Sequence, residues 1–211
     1  MTRINRTAAK PYSGVLGVAF AIGALQAPLA MAEPQAYVVD DEHFSMMFEV
    51  QHIGYAPVMG MFREVEGQFE YDEEAKDLPS GSLTFKSDSV FTNHEKRDAH
   101  LRKDDFLGSS KFPEITFTVT DFETTGDNTG VVTGDLTMLG QTRPVDVGIT
   151  LNKSAEYPIG HEEYTLGMTA ETSLKRSDWG MTYGVENNLV GDQVKLRFGF
   201  EAIRKSDGWF D

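Results

Sequence analysis

From His43 onward the chain alternates. Phe44, Met46, Phe48, Val50 and His52 fall on one face of an extended segment, and Ser45, Met47, Glu49 and Gln51 fall on the other. The same period of two recurs at Met61, Val65, Phe69 and Tyr71, at Leu83 and Phe85, and at Ile115, Phe117 and Val119. It returns at Val132, Leu136 and Met138, at Val145, Val147, Ile149 and Leu151, at Leu166, Met168 and Ala170, and at Val194, Leu196, Phe198 and Phe200. Such a pattern buries one face of a strand and leaves the other to water, so the chain reads as all-β with about eight strands. Turn signals separate them: Asp77-Leu78-Pro79-Ser80-Gly81, Thr125-Gly126-Asp127-Asn128, Leu139-Gly140-Gln141 and Tyr157-Pro158-Ile159-Gly160.

Strands with one apolar face and short connections suit an antiparallel meander rather than βαβ units. Closing eight of them into a barrel removes the edges that invite aggregation, and the interior is then either packed or holds one small ligand. A two-sheet sandwich fits the same pattern. One stretch breaks the alternation. Thr92 to Phe106 is charged and helical in character, with Thr92 and Glu95 spaced as a capping box, and Pro113 restarts the strand pattern. It reads as a lid and corner. Residues 33–36 and Lys205 to Asp211 read as flexible ends, the latter carrying Trp209 and Phe210.

Residues 1–32 differ from the rest. Arg3, Arg6 and Lys10 precede an apolar run from Val15 to Ala27, and Ala30-Met31-Ala32 forms a small-x-small site before Glu33. This is the pattern of a cleaved signal peptide, with cleavage after Ala32, and the apolar run of about 15 residues is short against the ~20 that span a bilayer. The chain has no cysteine, hence no thiol for a lipid anchor and no disulfide. The expected product, residues 33–211, is a single periplasmic domain without a stable membrane anchor. Losing the three leader cations takes the net charge from −14 to −17, which disfavours nucleic acid and anionic lipid headgroups as partners.

Chemical signatures are sparse. The five histidines, His43, His52, His94, His100 and His161, show no metal-ligand spacing, and nucleophile-elbow, P-loop and dinucleotide motifs are absent. No catalytic residue, metal or cofactor is expected. The 14 Phe and 9 Met are more telling, since flat rings and unbranched thioethers adapt to an irregular apolar guest. Inward candidates are Phe44, Met46, Phe48, Val50, Met61, Phe69, Phe85, Phe117, Met138, Met168 and Phe198. Their pattern fits plain core filling as well as a ligand cavity.

A set of short motifs, ordered along residues 36–204, resembles the YceI-like family of secreted lipocalin-like proteins. They are Tyr37-Val38-Val39-Asp40 with His43, Gly60-Met61-Phe62 with Gly67, and Arg97-Asp98-Ala99-His100-Leu101 with Phe106 and Pro113. Gly134-Asp135-Leu136-Thr137, Thr142-Arg143-Pro144-Val145 and Arg176-Ser177-Asp178-Trp179-Gly180 complete the set. Phe44 stands where the family usually has Ser, adding bulk on the inner face, and Trp179 where it usually has Phe.

The resemblance implies an eight-stranded antiparallel lipocalin-like barrel with one short helix in the Thr92 to Phe106 connection. It also implies non-catalytic periplasmic binding, carriage or storage of an isoprenoid lipid, either a quinone or a polyprenyl derivative, in an apolar channel. His52, Arg97, Arg143 and Arg176 are then the candidates for the head group, as cationic or hydrogen-bond donors. The competing readings are an enzyme acting on a small amphiphile, which needs titratable groups converging in the cavity, and a filled-core barrel that binds a protein partner. A homodimer would lengthen or cap the channel. N-terminal sequencing of the protein exported by its native host is expected to begin at Glu33; a chain still carrying Met1 would overturn the leader reading.

Overall fold

The computed structural model describes residues 1–2 and 33–205. The expected leader, its cleavage point after Ala32 and the tail residues Trp209 and Phe210 lie outside the described residues. The alternating segments become strands β1 (Gln35–Val39), β2 (Ser45–His52), β3 (Ala56–Phe62), β4 (Val65–Asp72), β5 (Asp77–Lys86) and β6 (Val90–Phe91). Helix α1 (Glu95–Leu101) follows, then β7 (Glu114–Thr124), β8 (Thr129–Met138), β9 (Gln141–Glu156), β10 (Tyr164–Lys175) and β11 (Val190–Arg204). Strands β1, β4, β5, β7, β8, β9, β10 and β11 pair antiparallel in that order, and β1 pairs back onto β11. The ring is closed with eight strands.

Closure is shared along one long strand. β11 pairs with β10 from Gln193 to Ile203, while its other edge takes β2 from Val190 to Gly199 and β1 from Ala202 to Arg204. The chain steps from β1 to β2 through a turn in which Asp40 accepts from the backbone N–H of Glu42 and binds the His43 ring at 2.6 Å. The Asp40 N–H donates to the Glu201 carbonyl at 2.9 Å, fixing the step against β11. Asp40 and His43 therefore have a conformational task at the seam.

Several boundaries differ from the expected ones. Gln35 and Ala36, expected to be a loose end, pair with Tyr71 and Glu70 of β4. Asp77 to Gly81, expected as a turn, opens β5; Pro79 is tolerated there because β4 bulges between Glu70 and Asp72, and β7 joins β5 only from Ser82 onward. The single alternation from Met61 to Tyr71 is two strands, broken at a corner where the backbone N–H groups of Arg63 and Glu64 both donate to the Ser89 hydroxyl at 3.2 Å. The expected capping box also gives way. The N-cap is His94, whose Nδ1 accepts from the Arg97 N–H. Thr92 is buried and bonds Asp98 instead, because that carboxylate, sealed from water, needs both the Thr92 N–H and its hydroxyl.

The barrel has two unlike ends. The turns at residues 73–76, 125–128 and 157–163 lie at one, while α1, the short helical turn Arg176–Trp179 and the β2–β3 hairpin tip lie at the other. Tyr37, Leu166, Met168 and Ala202 pack the first end. The second is ringed by Phe106, Leu107, Trp179 and Met181, with the Trp179 indole N–H donating to the Leu136 carbonyl at 3.0 Å. Between β2 and β3, Gly60 lets the Phe48 ring lie flat across the strand: a Cβ there would come within 2.3 Å of that ring and 2.7 Å of the Thr92 methyl. Gly60→Ala is expected to cost about 1–3 kcal/mol by overpacking, read as a lower midpoint of urea unfolding.

Candidate binding cavity

Inside the ring lies a cavity of about 620 Å³, within the roughly 300–1,000 Å³ usual for small-molecule sites. Its walls come from alternate residues of nearly every strand, since inward positions repeat with the pleat. Met46, Phe48 and Val50 of β2, Phe69 of β4, Phe85 of β5 and Phe117 of β7 contribute, with Met138 of β8, Met168 of β10 and Phe198 of β11. Phe44 and Met61 do not line it. The Phe44 ring sits behind the wall, 5.9 Å from Phe85 and 6.1 Å from Phe200. Met61, just before the corner that splits β3 from β4, is turned outward and 38% exposed.

The end opposite the helix is stoppered. Tyr37 is fully buried, its ring stacks on Phe69 at 5.3 Å, and its hydroxyl donates to Glu73 at 3.3 Å. The Tyr164 hydroxyl donates to the other Glu73 oxygen at 3.1 Å, and the Arg204 guanidinium covers the Tyr164 ring at 4.3 Å. Burial, followed by the Glu73 carboxylate, pushes the Tyr37 phenol well above its ordinary range, so it stays a neutral donor.

The helix end is the mouth. Gln51, His52 and Ile53 approach from the β2–β3 hairpin, Lys96, Arg97, His100 and Leu101 from α1, and Met181, Tyr183, Leu189 and Val190 from the segment after Arg176. Of the four expected head-group residues, His52 and Arg97 line this mouth. Arg97 and Asp98 hold the helix at this end. Both grip Thr92: the Arg97 Nε donates to its hydroxyl at 2.7 Å and Nη2 to its carbonyl at 2.8 Å, which moors α1 across the barrel. Arg143 lies outside the cavity lining, its Nε donating to the Asp178 carbonyl at 3.2 Å.

Arg176 borders the cavity, but its donors are committed elsewhere. Nε bonds the Gly191 carbonyl at 2.8 Å, Nη1 that of Met181 at 2.7 Å, and Nη2 those of Tyr183 and Val190 at 2.8 and 2.9 Å. Burial lowers its pKa, with Asp192 acting in the opposite sense, and the planar fork satisfies four carbonyls that a loop over an apolar cavity would leave bare. Arg176 thus builds the mouth. Sequence reasoning missed Lys96, His100, Met181 and Tyr183. The first two were accessible from helical spacing, as Lys96 and His100 are four apart on α1; Met181 and Tyr183 carry no local signal and depend on Arg176 for their place.

Among the described residues, no Asp or Glu lines the cavity, although the chain has 33 of them. Its mouth therefore carries the cations Lys96, Arg97 and Arg176 without opposing carboxylates on the wall. Elsewhere, Asp40, His43 and Glu201 place potential metal-ligand atoms within 4.8 Å of one another at the β1–β2 seam. His43 is raised in pKa chiefly by its hydrogen bond to Asp40, consistent with an ion pair serving the turn.

These features define a closed eight-stranded barrel of lipocalin-like build with an apolar cavity open beside helix α1. Residues 37–202 match the YceI-like domain, and the chain belongs to that family. It is 34% identical over 189 residues to a UPF0312 protein of Pseudomonas savastanoi pv. phaseolicola, covering 89% of this chain and 96% of that one. The Campylobacter jejuni YCEI protein superposes with a TM-score of 0.67 at 26% identity, covering 74% of this chain and 90% of its own. A polyisoprenoid binding domain from Saccharophagus degradans shares the fold with a TM-score of 0.63 at 15% identity, covering 81% and 99% of the two chains.

Arg176→Lys keeps the charge but loses the fork. It is expected to cost about 1–3 kcal/mol for each carbonyl left without a donor. Amide hydrogen exchange in residues 181–191 should accelerate ahead of the barrel strands; unchanged exchange there would contradict the assigned role.

Proposed function

We propose that this protein is a non-catalytic periplasmic carrier of an isoprenoid lipid, held with its chain in the barrel and its head at the α1 mouth. The observation that carries the reading is the apolar cavity of about 620 Å³, walled by Phe, Met and aliphatic residues from nearly all the strands and stoppered at one end. Burying about 500 Å² of apolar ligand contributes roughly 12 kcal/mol at 25 cal/mol/Å². Several kcal/mol of association cost still leave micromolar or tighter binding, so no covalent or catalytic group is needed. Lys96, Arg97 and His52 at the mouth suit a phosphate or a quinone carbonyl. The fold shared with the Saccharophagus polyisoprenoid binding domain agrees with this ligand class.

The enzyme reading asks for carboxylates or histidines converging within the cavity. Among the described residues the lining offers no carboxylate, and its two histidines, His52 and His100, belong to the rim. A filled-core barrel is disfavoured by the cavity itself.

Protein purified from its native host should release an isoprenoid on solvent extraction, identified by mass spectrometry. Ala170→Trp, which fills the cavity from a buried wall position on β10, should lower that yield at least tenfold while the far-UV spectrum stays that of a β-barrel. Native-host protein that yields no isoprenoid would overturn the proposal.

A further inference from the structure

The mouth is apolar beyond its inner wall. Tyr55 at the β2–β3 hairpin tip is 89% exposed, Ile53 beside it 46%, and Tyr183 and Leu189 on the facing segment 44% and 40%. Ile53, Tyr183 and Leu189 are at the same time part of the cavity lining. The Ile53 N–H donates to the Leu189 carbonyl at 3.1 Å, so hairpin tip and facing segment form one rim. Apolar side chains thus reach from solvent to the cavity along this side.

Ile53 adds an independent sign. It holds φ = 52°, followed by Gly54 at 73°, the paired left-handed geometry of a tight hairpin. Asn or Asp usually takes the first of these positions, and a β-branched side chain there is strained. The fold therefore tolerates a strained backbone to hold a half-exposed Ile at the edge of the mouth. Across the mouth stand Lys96 and Arg97, and the nearby carboxylates Glu95 and Glu186 are not part of the lining.

We propose that this rim is a membrane-docking surface, which inserts Tyr55, Ile53 and Leu189 shallowly into the interfacial layer of a lipid bilayer with the cavity mouth facing the membrane. The inference rests on the lipid-carrying reading of the cavity and adds how the cargo enters. A tyrosine suits the depth where an apolar ring meets headgroups. Exposed apolar patches on soluble proteins mark interaction sites, and one continuous with an apolar cavity lets a hydrocarbon chain pass between bilayer and barrel without crossing water. The net charge of −17 on residues 33–211, −14 less the three leader cations, opposes attraction to anionic surfaces, so docking is driven by apolar contact. The surface recognised is zwitterionic.

The test uses Tyr55→Trp as a depth reporter and Ile159→Trp, on the exposed β9–β10 turn at the stoppered end, as its counterpart. The emission added by Tyr55→Trp over wild type should be quenched by phosphatidylcholine vesicles with brominated acyl chains, and that added by Ile159→Trp should not. Binding should persist at high salt. Tyr55→Asp should lower vesicle affinity and the rate of long-chain polyprenol uptake from vesicles at least tenfold, while polyprenol bound from detergent solution stays at the wild-type level. Equal quenching of both reporters, unchanged uptake by Tyr55→Asp, or burial of the rim in a dimer measured by solution mass would overturn the docking surface. Failure of wild-type protein to bind polyprenol from detergent would instead overturn the carrier reading beneath it.

Discussion

Everything in this molecule depends on β11 closing the ring on both sides. One edge of it is taken by β10 from Gln193 to Ile203, and the other is divided between β2 and β1. An open meander of these strands would expose two ladders of unpaired backbone groups; closure through β1 joins the two edges and encloses an interior. Toward the helix end the β2–β3 hairpin stands in place of β1 on that edge. The Asp40–His43 turn, anchored to Glu201 of β11, makes that step possible.

The interior is then differentiated by what each end does with its polar groups. At the stoppered end the Tyr37 and Tyr164 hydroxyls share one carboxylate, so two aromatic rings can be buried without orphaned donors. At the mouth the problem is reversed, because an irregular segment must cross the rim of an apolar cavity with its carbonyls pointing inward. Arg176 answers it with four hydrogen bonds, and Thr92 moors α1 through Arg97 and Asp98. Charged residues at the mouth thus serve first to hold its shape, with Lys96 and His52 lining it beside them.

How legible this was follows from the range of each interaction. Strand identity, the antiparallel order and most of the wall, from Met46 to Phe198, follow from the period of two, a purely local property. Phe44 and Met61 show its limit. Both have the right parity, but Phe44 sits behind Phe85, and Met61 lies before a corner created by Ser89, distant in sequence. Thr92 and Glu95 had the spacing of a capping box, yet a buried carboxylate three residues further on took the hydroxyl. Arg143 and Arg176 looked alike as cations beside turns; one lies outside the cavity lining and the other is consumed by carbonyls.

The sequence by itself determined the all-β class, the one helical interruption and the family, because alternation, turn chemistry and ordered short motifs are written residue by residue. Only the tertiary structure decided that the barrel is hollow, that it is stoppered at one end, and that none of the described acidic residues lines the cavity. Those properties belong to pairs far apart in the chain, Tyr37 with Glu73, Arg176 with Val190, Ile53 with Leu189, and no local pattern specifies whether facing side chains meet across a barrel or leave a space between them.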